Sequence, residues 1–171
     1  MHGIVQAHDG FITVTSQPNE GSTFDLFFPA QPRVVIPPEN PVNHIPRGQG
    51  QRILLLDDES ALTGPFKGLL ERLNYRVTAC NLASEALRQF RENPAQFDLV
   101  ITDLTMPEIS GLEVARQIRV LRADLPVILA TGYGYSLSAA TLQEAGITQL
   151  LEKPLALATL AEAIQRALAR P

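Results

Sequence analysis

The chain has 171 residues, 45% of them hydrophobic and 19% charged, which is enough apolar material for one folded domain with an appendage and too little chain for a complete multidomain enzyme. Its 14 Lys and Arg against 18 Asp and Glu leave a net charge of -4, so the basic excess that drives phosphate-backbone binding is missing and direct nucleic-acid binding is not expected. No apolar run reaches the roughly 20 residues that span a bilayer, and the start, Met1-His2-Gly3-Ile4-Val5, carries no leader signature, so a cytoplasmic segment without membrane contact is expected.

The chain opens with a predicted fragment of helix over residues 1–7. In residues 11–16, Ile12 and Val14 alternate with Thr13 and Thr15; in residues 23–28, Phe24, Leu26 and Phe28 share a face. These read as two strands of a β-hairpin, with Pro18-Asn19-Glu20-Gly21 supplying the turn. A lone hairpin is marginal in water, so this one needs a surface to pack against. Six prolines follow (Pro29, Pro32, Pro37, Pro38, Pro41 and Pro46), and with Gly48-Gln49-Gly50 they mark residues 30–50 as a semi-rigid linker.

From residue 51 onward, strand and helix signals alternate. Strands are predicted over 52–56, 75–80, 99–102, 126–130 and 149–152, and helices over 61–73, 84–91, 111–121, 136–145 and 158–169. Ser110 and Glu113 have capping-box spacing ahead of the third of these helices. Pro65 falls inside the first, where it removes a backbone donor and is expected to kink the helix or delay its start. Strands apolar on both faces and separated by helices imply an α/β fold, a parallel five-stranded sheet covered by five helices in three layers, with the hairpin as an N-terminal appendage.

Ligands in open α/β sheets bind where the strands end, at the point where the strand order reverses. The first strand ends in Asp57-Asp58-Glu59, the third in Asp103, the fourth in Thr131 and the fifth in Lys153, while Cys80-Asn81 after the second offers nothing comparable. With the order 2-1-3-4-5, Asp57, Asp58 and Asp103 straddle the reversal and share one rim with Thr131 and Lys153. Clustered carboxylates repel and call for a cation, and hard oxygen donors suit Mg2+, which keeps waters and pairs with phosphate. A metal, an ammonium and a hydroxyl together match the oxygens of a phosphoryl group. No His, Ser or Cys joins this set, so a carboxylate is the nucleophile, and aspartyl phosphate is an established covalent intermediate. The three histidines, His2, His8 and His44, lack metal-ligand spacing, and the single cysteine, Cys80, can form no internal disulfide.

Residues 51–171 resemble the receiver domain of two-component signalling, a module whose aspartate accepts a phosphoryl group from a phosphohistidine. The resemblance rests on Asp57-Asp58, on Val100-Ile101-Thr102-Asp103-Leu104-Thr105-Met106-Pro107, on Gly111, on Thr131-Gly132 and on Lys153-Pro154. It implies a flavodoxin-like sandwich, Asp103 as phosphoacceptor, and Mg2+ held by Asp58, Asp103 and the Thr105 carbonyl, with Asp57 acting through water. It further implies that Thr131 and Lys153 touch the phosphoryl oxygens, and that the Lys153-Pro154 peptide is cis. The implied partner is a phosphohistidine donor, either a kinase core or a histidine phosphotransfer protein; a dimer is left open.

His2-Gly3-Ile4-Val5, His8-Asp9-Gly10, Gly21-Ser22-Thr23-Phe24 and Phe27-Phe28-Pro29 resemble the closing segment of a histidine-kinase ATP-binding domain. By that resemblance residues 1–29 are the end of such a domain, 30–50 the linker and 51–171 the receiver, together the C-terminal portion of a hybrid sensor kinase. The segments that would bind ATP or carry a phosphoacceptor histidine are not in this chain, so the only catalysis expected of it is the receiver's own phosphorylation and dephosphorylation. Leu150 stands where the family often has an aromatic switch residue. Two other readings compete. An aspartate-nucleophile phosphatase of the haloacid-dehalogenase type calls for Asp-x-Asp, which Asp103-Leu104-Thr105 lacks; a receiver-like interaction module without phosphorylation has no use for the full set of site residues.

Overall fold

The computed structural model describes residues 2–18, 21–30, 45–132 and 137–169. It separates into two compact units, residues 1–41 and 42–171. Asn19 and Glu20 of the expected turn, most of the proline-rich stretch with His44, and the expected helix start at Ser136 lie outside the described residues.

The first unit contains α1 (His2–Ala7), β1 (Phe11–Gln17) and β2 (Gly21–Phe27). The strands pair antiparallel with Phe11 opposite Phe27, Ile12 opposite Leu26 and Val14 opposite Phe24. Apolar side chains therefore occupy both faces: the Phe11 and Phe27 rings stack at 4.6 Å on one, and Ile12, Val14, Phe24 and Leu26 line the other. Val5 of α1 is buried, and its carbonyl accepts the N–H groups of His8 and Gly10. Phe11 and Phe24 remain 60% and 57% exposed, a large apolar surface for so small a unit.

The second unit runs β3 (Arg52–Leu56), α2 (Ser60–Arg72), β4 (Arg76–Cys80), α3 (Ala83–Glu92), β5 (Leu99–Asp103), α4 (Gly111–Leu121), β6 (Val127–Thr131), α5 (Ala139–Ala145), β7 (Gln149–Glu152) and α6 (Leu157–Leu168). All five strands are parallel, in the order β4-β3-β5-β6-β7, which is the expected 2-1-3-4-5 arrangement with five helices. Alternate residues of the central strands feed two apolar layers. Ile53, Leu55, Ile101 and Ile128 meet Leu70, Leu160 and Ile164 of α2 and α6, while Leu54, Leu56, Val100 and Val127 meet Phe90, Val114 and Ile118 of α3 and α4. Burial on both faces explains why these strands read as continuous apolar runs.

Three local features depart from the sequence expectations. Helix α2 starts at Ser60, ahead of Pro65, because the Glu59 carbonyl accepts the Leu62 and Thr63 N–H groups at 2.8 and 3.1 Å. Pro65 and Ala61, whose carbonyl loses its donor, are both exposed, so water can take the missing bond. Ser110 Oγ accepts the Glu113 N–H at 3.3 Å, but the Glu113 carboxylate pairs with Arg116 and Gln117, giving half a capping box. The end of the expected linker is built into the second unit. Gly48 N–H donates to Leu73 O at 2.7 Å, Asn74 Nδ2 to Gly48 O at 2.8 Å, Gly50 N–H to Asn74 O at 2.9 Å and Gln165 Nε2 to Arg47 O at 3.0 Å. Gly48 lies so close to Tyr75 that a Cβ on it would stand 2.4 Å from the ring, and Ile45 packs against the core.

Candidate functional site

The carboxyl ends of β3, β5, β6 and β7 meet at one rim, because parallel strands all finish on the same side. There the Lys153 ammonium bonds Asp57 Oδ2 at 2.7 Å and Asp103 Oδ1 at 2.8 Å. The two acids are buried, at 8% and 7% exposed. Burial alone pulls the Lys153 ammonium toward neutrality, but its hydrogen bonds to Asp103 and Asp57, with their charges, outweigh this and hold its pKa above the usual value. The remaining carboxylate oxygens are also engaged: Asp57 Oδ1 accepts the Glu59 N–H and Asp103 Oδ2 accepts the Thr105 N–H, both at 2.9 Å.

The other expected residues flank this trio. Thr131 ends β6, buried, its hydroxyl donating to the Gly132 carbonyl at 3.3 Å and its own carbonyl accepting the Lys153 N–H at 2.7 Å. Asp58 follows Asp57, half-buried, and the Lys153-Pro154 peptide is cis. The loop after Asp103 folds back tightly: Leu104 accepts the Gly111 N–H at 3.0 Å, and Met106 packs on the core beneath. Under the acids the wall is apolar, formed by Leu55, Phe66, Ile101 and Leu155.

Two polar residues here escaped the sequence reading. Asn81, at the end that seemed to offer nothing, donates from Nδ2 to the Asp57 carbonyl and to Thr63 Oγ1, both at 2.7 Å. Thr63 is buried in α2, with its hydroxyl 3.1 Å from the Asp57 carbonyl and 3.0 Å from the Glu59 carbonyl. The only signal available was a polar side chain directly after a buried strand.

Chemically, the rim offers hard oxygens gathered around one cation. Among the described residues no three His, Cys, Asp or Glu side chains form a ready metal cage. That donor set suits an ion that is satisfied with one or two carboxylates and completes its shell with water, which is the preference of Mg2+.

A family model described as the response regulator receiver domain matches residues 53–165. Among curated proteins, the chain is 37% identical to the two-component response regulator ARR14 of Arabidopsis thaliana over 106 residues, covering 62% of this chain and 28% of that protein. It is 28% identical to the sensor kinase CckA of Brucella abortus (strain 2308) over 176 residues, covering 98% of this chain and 19% of the kinase. Thus it spans less than a third of either relative. Among solved structures, a response regulator receiver domain protein from Clostridium thermocellum superposes with a TM-score of 0.66 at 36% identity, covering 69% of this chain and 94% of that one. The response regulator TrrA from Thermotoga maritima, solved in complex with Mg(2+)-BeF, gives 0.60 at 34% identity, covering 69% and 99%. With the family model spanning most of the chain and the five-stranded unit superposing on receivers almost end to end, this protein belongs to the response regulator receiver domain family, the phosphorelay module of two-component signalling.

Proposed function

We propose that Asp103 accepts a phosphoryl group from a phosphohistidine. The observation that carries this reading is the shared ammonium: Lys153 bridges Asp57 and Asp103 at 2.7 and 2.8 Å, so a buried carboxylate stands beside a fixed cation. In the transfer, an Asp103 oxygen attacks phosphorus, the P–N bond to the donor imidazole breaks as the P–O bond forms, and the imidazole nitrogen leaves with the bonding pair. Lys153 and the Thr131 hydroxyl then face the transferred oxygens, one as a charge and one as a neutral donor. In this reading Asp58, Asp103 and the Thr105 carbonyl would hold Mg2+, with Asp57 acting through water, and the ion would supply charge stabilisation for the phosphoryl oxygens. The TrrA complex, in which a receiver holds Mg(2+)-BeF, supports the same chemistry here.

Asp103 is the test. Wild type incubated with Mg2+ and acetyl phosphate is expected to gain one phosphoryl group by intact mass, and Asp103→Asn to gain none; equal labelling of the variant would overturn the assignment.

The match to a bacterial sensor kinase along 98% of the chain supports a hybrid-kinase context. In that reading residues 1–29 close a kinase ATP-binding domain, 30–50 connect, and 51–171 receive the phosphoryl group from a kinase core or a histidine phosphotransfer protein.

A further inference from the structure

We infer that Asn81 and Thr63 are positioning residues for the acidic pair and set how tightly the rim holds its divalent cation. The inference rests on the reading of the rim given above and extends it to two residues outside the motifs.

Residue 57 is held on both sides of its Cα. Its N–H donates to the Cys80 carbonyl at 3.3 Å, and its carbonyl accepts from Asn81 Nδ2 at 2.7 Å, with Thr63 Oγ1 at 3.1 Å. The Asp57 carbonyl belongs to the same rigid plane as the Asp58 N–H. Fixing that oxygen therefore fixes the rotation at which the chain leaves β3, and with it the direction in which Asp58 departs from the strand.

The brace closes on itself. One amide hydrogen of Asn81 goes to the Asp57 carbonyl and the other to Thr63 Oγ1, and the Thr63 hydroxyl is left to donate toward the Glu59 carbonyl at 3.0 Å. Three elements, β3, β4 and α2, are thus tied at the point where the acids begin. Thr63 is 3% exposed, and no buried side-chain N or O among the described residues is left without a partner, so removing Asn81 takes one of two donors from the Asp57 carbonyl, and removing the Thr63 hydroxyl takes the acceptor from one Asn81 N–H. Side chains that orient metal ligands characteristically change affinity by about 10–100-fold when lost.

The experiment is calorimetric titration of Mg2+ into wild type, Asn81→Ala, Thr63→Val and Thr63→Ser, with urea unfolding of each alongside. Thr63→Val keeps the shape of threonine and loses the hydroxyl, whereas Thr63→Ser keeps the hydroxyl. Asn81→Ala and Thr63→Val are expected to bind Mg2+ about tenfold more weakly or worse, and Thr63→Ser to stay within about threefold of wild type. Variants that unfold at lower urea yet bind Mg2+ as wild type does would reduce the brace to general stability and overturn the inference. Should Asn81→Ala not fold, the Thr63→Val and Thr63→Ser pair reads the same brace. A wild type that binds no Mg2+ overturns the reading of the rim itself, whereas wild-type binding with unaffected variants overturns only the brace.

Discussion

Gly111 lies so close to Asp103 that a Cβ built on it would stand 2.1 Å from the Asp103 carbonyl oxygen and 2.8 Å from the Leu129 side chain. Backbone, not a flexible side-chain end, is the obstacle. Gly111→Ala must therefore push α4 away from the strand carrying Asp103, at a cost of about 2–3 kcal/mol. Urea unfolding measures it, and a midpoint equal to wild type would show that the loop adjusts freely. Phosphorylation of Asp103 is expected to slow in the same variant, because the loop that moves also carries the Thr105 N–H.

Replacing Lys153 by Met leaves Asp57 and Asp103 facing each other without a cation. In EDTA at pH 7 the variant is expected to be about 2 kcal/mol less stable than wild type, since breaking a largely buried pair strands charge, and added Mg2+ should restore more stability to it than to wild type. The alkaline limb has a definite sign. The Lys153 pKa is raised above 10.5 in the folded state, so its contribution is complete below pH 10.5 and is lost as pH climbs through the native value. Urea midpoints of wild type and Lys153→Met should therefore converge above that pH; parallel curves would contradict the pairing.

Cys80 ends β4 fully buried, and burial pushes its thiol from 9.0 up to about 11. The unfolded chain loses that proton first, so stability on the order of 2 kcal/mol drains away between pH 9 and 11. Cys80→Ala should be less stable at pH 7 but flatter across this window. Native protein should also resist thiol reagents at pH 8 unless urea is added; rapid labelling without urea would show the site to be open.

Residues 45–50 are bound to Arg72, Leu73, Asn74 and Gln165 by five hydrogen bonds, the four above and Arg47 Nη2 to Arg72 O at 3.5 Å, and by an apolar contact of Ile45, so a chain beginning at residue 51 should unfold more easily than one beginning at 42. Each bond is worth about 1 kcal/mol before the entropy of ordering the segment is subtracted, which leaves a net loss of about 1–3 kcal/mol. Matched urea curves of the two chains measure it, and coincident curves would make the segment a passive tail.

The sheet was legible because strands buried on both faces announce themselves as apolar runs, and because helices between them force a parallel arrangement. Helix α4 was legible to the residue: Ser110 caps it and the apolar period starts at once. Asp57, Asp103 and Lys153 could be placed together from strand ends alone, since strand order decides which ends are neighbours. Asn81 and Thr63 could not, because their main partner is a backbone carbonyl, which carries no side-chain signature. The start of α2 ahead of Pro65 was not legible, because the pattern does not say that the orphaned carbonyl faces water. The docking of residues 47–50 was not legible, because it depends on Asn74 at a φ of 69°, a turn geometry that composition does not encode.

That docked segment also has a definite place relative to the rim. Arg47, Gly48 and Gly50 moor the incoming chain beside Leu73, Asn74 and Gln165, at the pole where the strands begin. Asp103 lies at the pole where they end, about 17 Å away along a five-residue strand. The mooring and the Asp103 carboxylate therefore lie at opposite ends of the parallel sheet, and residues 45–50 do not reach the rim. In the proposed reading, a donor histidine meets Asp103 at the end of the sheet away from this segment.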